Sequence, residues 1–233
     1  MAVVKDAINS AWKLEQLSVA LALDPGALVR SLRVQRHERE LDRTLGVQTS
    51  ERSFLAPPCR FSDAAPSQPL GYAALQCIER DILERGMPLQ SLIDLGCGRG
   101  RALAYLSKLP FDTMVGVEVD AEVAAAARGN LRALAHGWRH ATSPTVIDAD
   151  AADVELAWAG SVLLLFNPFG IQTMRAVLTK VRAGLAGAPA VVHAYYAVPL
   201  HHRVFREVFP AANANALSCE ETAVYYYQLQ SRS

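Results

Sequence analysis

Ser91-Leu92-Ile93-Asp94-Leu95-Gly96-Cys97-Gly98-Arg99-Gly100 joins a short apolar run to a glycine-rich turn. Directly after it, Ala102, Tyr105, Leu106 and Leu109 recur at helical spacing. Strand, tight turn and helix therefore follow one another without a linker. The glycines permit the turn and let the backbone approach a ligand with no Cβ in the way. The helix that follows presents unpaired N–H groups at its first turn. Outward from this unit the texture repeats. TMVGVEV at 113–119, PTVIDAD at 144–150, SVLLLF at 161–166 and AVVHAYYAV at 190–198 read as strands. Ile171, Met174, Leu178, Val181 and Leu185 mark a helix between two of them. Strands alternating with helices imply a parallel sheet covered on both faces, an α/β fold. The tail differs: a helix around HHRVFREVF, then ANALSCEE and TAVYYYQLQ joined so closely that they read as an antiparallel hairpin closing the sheet edge.

The flanks are of another kind. Residues 1 to about 45 read as helical, with Asp24 placed to cap a helix that Pro25 begins and Gly46 ends. Arg30, Arg33, Arg36, Arg39 and Arg43 are interleaved with Glu38, Glu40 and Asp42, the pattern of a solvated face. Residues 47–70 are loop-like, broken by Pro57, Pro58, Pro66 and Pro69, and suited to folding over a site as a lid. A helix then runs from Leu70 to Glu84. This divides the chain into a helical cap with its loop, residues 1–69, and a main domain, residues 70–233.

Hydrophobic residues make up 51% of the 233 and charged residues 20%, a globular composition. Lys plus Arg and Asp plus Glu both number 23, so no basic field exists to attract nucleic acid, which is disfavoured as a partner. Cys59, Cys77, Cys97 and Cys219 lack zinc spacing, so no metal is expected, and they read as free buried thiols. With neither a signal-peptide pattern nor an apolar run long enough for a membrane, the expectation is a cytoplasmic protein.

The glycine spacing selects among ligands. Dinucleotide enzymes carry Gly-x-Gly-x-x-Gly; here the spacing is Gly-x-Gly-x-Gly, with Asp94 two residues ahead. A carboxylate is unfavourable beside a pyrophosphate but helpful beside a cationic amino-acid moiety. That turns the reading from NAD, and a nicotinamide oxidoreductase, towards S-adenosylmethionine. Glu118 ends the second strand about 20 residues on, where a carboxylate can accept both ribose hydroxyls. Asp150 follows the third strand, where it could accept the adenine amino group, with Asp148 its rival. Three acids at the carboxyl ends of successive strands stand where open sheets bind ligands.

The series IDLGCGRGR, VGVEVD, DADAAD and LLLFNPFG resembles the motifs of class I S-adenosylmethionine-dependent methyltransferases. More narrowly, LDRTLGVQTS, DLGCGRGRAL, the Pro110-Phe111 pair, GVEVD and FNPFG resemble a bacterial group within them, over roughly residues 40–230. The resemblance implies a Rossmann-like seven-stranded sheet with its last strand antiparallel. It also implies that Asp94, Gly96, Gly98 and Gly100 hold the methionine moiety, Glu118 the ribose and Asp150 the adenine. Arg99, between the last two glycines, departs from the usual pattern.

Asn167-Pro168-Phe169-Gly170 ends the fourth strand and resembles the Asp/Asn/Ser-Pro-Pro-Tyr/Phe motif of amino methyltransferases, with one proline fewer. On that likeness Asn167 accepts a hydrogen bond from a target amine and Phe169 packs on its face. His193, with Tyr195 on the same strand face, is a candidate base. The expected acceptor is a small molecule or a protein side chain. The alternative is a non-catalytic module that binds S-adenosylmethionine on the same fold. The oligomeric state is left open by the sequence.

Overall fold

The run around Asp94 becomes the central strand of the sheet. β1 (Ser91–Leu95) pairs in parallel with β2 (Thr113–Glu118) on one side and with β4 (Ser161–Phe166) on the other. β3 (Thr145–Asp148) lies outside β2 and β5 (Val191–Ala197) outside β4, both parallel. β6 (Ala214–Leu217) and β7 (Val224–Gln230) complete seven strands in the order β3-β2-β1-β4-β5-β7-β6, with β7 antiparallel to both neighbours. The computed structural model describes residues 25–51, 63, 68–138, 143–187, 190–219 and 222–230. The expected helix at residues 1–24, the Asp24 cap and Cys59 lie outside them.

The helices are α1 (Pro25–Leu45), α2 (Tyr72–Glu84), α3 (Arg101–Leu106), α4 (Ala121–Ala133), α5 (Ile171–Gly184) and α6 (His202–Val208). Alternation along the strands sends Leu92, Leu164, Tyr195 and Tyr226 into one core layer with α2, α3 and the end of α1. Ile93, Leu95, Leu163, Leu165, Tyr196 and Tyr227 enter the other, beneath α5 and α6. Burial on both faces explains why these strands read as unbroken apolar runs. The hairpin expectation holds, with β7 inserted next to β5 and β6 left at the rim. The side chains of β6 are mostly exposed and those of β7 mostly buried, so only β6 is suited to an edge.

From β1 the chain moves outward to β2 and β3, then returns past β1 to β4 and β5. The direction of winding reverses between β1 and β4. The general rule for open parallel sheets puts the ligand crevice there, beyond the carboxyl ends of the two strands.

Two sequence expectations meet the structure differently. The five arginines of α1 are all exposed, as a solvated face requires. The free-thiol expectation is corrected in part: Cys97 is free and buried, but Cys77 and Cys219 form a disulfide, with Cα atoms 5.9 Å apart. Their separation of 142 residues hid a contact that arises only when α2 packs beside the end of β6. Disulfides persist in oxidising surroundings, so the thiols no longer support a reducing compartment. Among the described residues no helix is long and apolar enough to cross a membrane.

Closing so long a loop restricts the unfolded chain by about 5 kcal/mol in the chain-entropy model, of which natural bridges typically realise 2–4 kcal/mol. Thermal unfolding with and without reductant checks this. The wild type should lose several degrees on reduction, and Cys77→Ser should already be lowered and insensitive to reductant. Identical curves for all conditions would show that the bridge does not form.

Candidate functional site

The glycine turn leaves β1 with three consecutive alternate residues at positive φ: Gly96 at 71°, Gly98 at 55° and Gly100 at 80°. Gly96 is required on a second ground, because a Cβ there would collide with the ring of Pro168. The turn after β4 is thereby packed directly on the turn after β1. Asn167 itself has φ 39°, a left-handed conformation that asparagine tolerates better than most residues. Its side-chain amide has no partner among the described residues.

The turn is clamped from the cap side by Arg101, the first residue of α3, which is only 4% exposed. Its Nε donates to Thr49 Oγ1 (2.7 Å), Nη2 to Ser50 Oγ (2.9 Å) and Nη1 to the Leu70 carbonyl (3.3 Å). Nη1 also pairs with Glu38, and Nη2 stands 3.5 Å from Asp42. The guanidinium lies over the Tyr72 ring, 4.6 Å from its centroid. Asp42 accepts from Thr49 N (2.9 Å) and Oγ1 (2.6 Å), Ser50 N and Oγ, and the Tyr72 hydroxyl (2.6 Å). Burial alone would raise the Asp42 carboxyl; the hydrogen bonds and the Arg101 charge outweigh it and hold the group below its usual range. Glu38 and Asp42, which in the sequence belong to a solvated stripe, instead turn inward one helical turn apart.

Between this clamp and the ends of β1, β4 and β5 opens a cleft continuous with solvent. Its walls include Asp94, Gly96, Cys97, Gly98 and Arg99 from the glycine turn and Leu164, Phe166, Tyr195 and Ala197 from the sheet. Thr49, Glu51, Gln68 and Leu70 close the cap side. The ends of the 47–70 segment thus border the cleft; apart from Asp63, the middle of the expected covering loop lies outside the described residues. Asp63 is bound elsewhere, at the start of α5: its carboxylate accepts from Gln172 N (3.0 Å), Thr173 N (3.3 Å) and Thr173 Oγ1 (2.6 Å).

Strand register explains which side chains share the cleft. Gly116, Asp94, Leu164 and Tyr195 lie in one row across β2, β1, β4 and β5, and Phe166 and Ala197 in the next row towards the carboxyl ends. Asp94 is 6% exposed and no protein donor among the described residues reaches its carboxylate. Burial, and then the neighbouring Glu118 charge, push its pKa up to about 7. Glu118 is partly satisfied: it accepts from Gly98 N (2.9 Å) and Asp120 N (3.1 Å). Burial still raises it, with those two bonds acting in the opposite direction. Cys97 is held as the neutral thiol by burial and by both carboxylates.

Other expected site residues fall outside the cleft. Asp150 is half-buried beyond the end of β3 and closes its own turn by accepting from Ala152 N (2.8 Å); Asp148 is exposed. Phe169 was expected to face a target amine, but it is 6% exposed and packed in the α5 and α6 layer. Phe166, at the end of β4, lines the cleft together with Tyr195 of β5. His193, the expected candidate base, is not among the residues lining the cleft. It sits one row below Tyr195, paired with Val162, about 7 Å further from the carboxyl edge. Its Nδ1 is 2.8 Å from the Tyr226 hydroxyl, and burial, then Arg85, lower its pKa. Tyr195 does line the cleft, but its hydroxyl donates to Asp81 (2.8 Å), and burial and that bond raise its pKa far above the phenol range.

Two outcomes follow from the buried charges. Arg101→Met leaves Glu38 and Asp42 buried without their cation and should cost about 3–5 kcal/mol in urea unfolding; an unchanged midpoint would contradict the clamp. Asp94 has its folded pKa raised, so the wild type loses stability as pH climbs from about 4 to about 7 and stays lower above that. Asp94→Asn should match the wild type near pH 4 and exceed it by on the order of 2–4 kcal/mol at pH 8. A constant difference across that window would show that Asp94 is not buried as described.

No protein-family model matches the sequence, and no curated protein matches it. Solved structures do share its fold. The methyltransferase domain of a bacterial Hen1 aligns with a TM-score of 0.50 at 16% identity, over 67% of this chain and 98% of that one. Magnesium protoporphyrin IX methyltransferase from Synechocystis PCC 6803, solved with bound SAM, aligns with 0.50 at 13% identity, over 69% and 81%. The O-MT segment of StiE aligns with 0.50 at 14% identity, over 67% and 74%. The chain therefore carries the Rossmann-like seven-stranded fold of these methyltransferases, with its one antiparallel strand in place.

Proposed function

We propose that this chain is an S-adenosylmethionine-dependent methyltransferase acting on a small-molecule or protein acceptor. The observation that supports it most is Asp94: a buried carboxylate with no donor among the described residues, facing a cleft at the reversal of winding, beside a second raised carboxylate. Such a pair is destabilising unless a ligand supplies positive charge and N–H or O–H donors. The donor's ammonium and ribose hydroxyls match those two requirements. Asp94 would accept from the ammonium, and Glu118, with acceptor capacity left beyond its two backbone bonds, from the ribose. Asp150 remains the proposed adenine partner.

When bound, the donor supplies an activated methyl group on a sulfonium. The chain's own contribution is then alignment and exclusion of water. Leu164, Phe166 and Ala197 give the cleft an apolar floor against which an acceptor packs. Tyr195 shapes that floor and keeps its proton, because its hydroxyl is committed to Asp81. Asn167 is the proposed acceptor-side hydrogen-bonding group. With Phe169 in the core, support for a nitrogen acceptor rests on Asn167 alone. Residues 1–69 are proposed to serve as the cap over this end.

Calorimetric titration with S-adenosylhomocysteine tests the reading. Micromolar binding should tighten as pH rises to about 7, because the ligand favours ionised Asp94, and below that pH binding should release a proton, seen as a buffer-dependent heat. Asp94→Asn should weaken binding about tenfold or more and remove the proton release. No binding to folded protein would overturn the assignment.

A further inference from the structure

An amino-acid ligand carries a carboxylate as well as an ammonium, and the cleft must answer both charges. Among the described residues two cationic side chains border it, Arg99 and Arg101. Arg101 has no capacity to spare: its N–H groups are distributed over Thr49, Ser50, Leu70, Glu38 and Asp42, and it is almost wholly buried. Arg99 is differently placed. It is 28% exposed, and its guanidinium pairs with Glu51, which is 72% exposed. An ion pair so open to water contributes little to stability. Its guanidinium can therefore exchange partners, whereas that of Arg101 cannot.

The backbone beneath this pair is fixed. Asn130, buried on α4, donates through Nδ2 to the Arg99 carbonyl (2.9 Å) and to the Gln48 carbonyl (3.2 Å), and its Oδ1 accepts from Gln48 N (2.9 Å). One side chain thus stitches the glycine turn to the segment that carries Glu51. Arg99 and Glu51 are held across the cleft mouth while their heads stay solvated.

We propose that Arg99 binds the carboxylate of the donor's amino-acid moiety and that Glu51 is the counter-ion this carboxylate displaces. This rests on the reading of the cleft as an S-adenosylmethionine site. Asp94 and Arg99 then form a pair of opposite charges matched to a zwitterionic amino acid, and Arg99 gains selectivity for ligands that keep it. A fork of N–H donors can meet a carboxylate in two parallel hydrogen bonds, which the solvated pair with Glu51 gives up at little cost.

The test compares S-adenosylhomocysteine with 5′-methylthioadenosine, which has the adenosine and thioether but no amino acid, by calorimetry on the full chain. Arg99→Gln should weaken S-adenosylhomocysteine about ten- to thirtyfold and leave 5′-methylthioadenosine unchanged. Arg99→Lys should recover part of that loss. Glu51→Gln, which removes the competitor and leaves Arg99 in place, should tighten S-adenosylhomocysteine about two- to fivefold. An equal loss for both ligands in Arg99→Gln would mean that the side chain only supports the turn, and would overturn the proposal while leaving the donor site standing. Unchanged S-adenosylhomocysteine affinity in Arg99→Gln, or weaker binding in Glu51→Gln, would overturn it as well. Failure of the wild type to bind either ligand would instead remove the donor-site reading on which the proposal depends.

Discussion

A buried guanidinium organises this molecule. Arg101 follows the last glycine of the turn and is taken out of water only because Glu38, Asp42, Thr49, Ser50 and the Leu70 carbonyl converge on it. Those partners come from α1, from the segment after it and from the approach to α2, which otherwise contact the sheet through scattered apolar residues such as Leu45 and Val47. Separating either side leaves uncompensated charge in the interior, a cost of several kcal/mol. α1, the segment after it and the glycine turn are therefore held together.

The same region carries the opposite arrangement. Where Arg101 is over-provided with partners, Asp94 has no donor among the described residues, and its neighbour Glu118 is only partly satisfied. Stability alone would favour an amide or an apolar residue at position 94. A buried carboxylate on the row that forms the cleft floor gives up stability, a feature often found at functional sites. Arg99 and Glu51 sit between these extremes, paired but open to water and so free to exchange.

Much of the sheet was legible because each strand is short, apolar and separated by helix-period segments. Of the acids at the strand ends, Asp94 lines the cleft beyond β1, while Glu118 and Asp150 are not among its lining residues. The misreadings have physical causes. Glu38 and Asp42 sit among arginines at helical spacing, and charge pattern cannot show that two acids of a solvated helix turn inward to a cation 63 and 59 residues away. Cys77 and Cys219 meet only through tertiary packing. His193 and Tyr195 share a face, as alternation requires, but which row reaches the carboxyl edge depends on register, and register places Tyr195 in the cleft and His193 one row below it. Phe169 lies in the turn after β4 and packs in the other core layer, while Phe166 within the strand reaches the cleft.

The central claim is that Asp94 awaits a cationic amino-acid moiety, and a crystal structure of the protein soaked with S-adenosylhomocysteine tests it most directly. The account predicts the ligand in the cleft beyond β1 and β4, its ammonium within about 3 Å of the Asp94 carboxylate, as charge-assisted hydrogen bonds require, and its sulfur turned towards Phe166 and Tyr195. A ligand bound with its ammonium away from Asp94, or an unaltered cleft at saturating ligand, would contradict it.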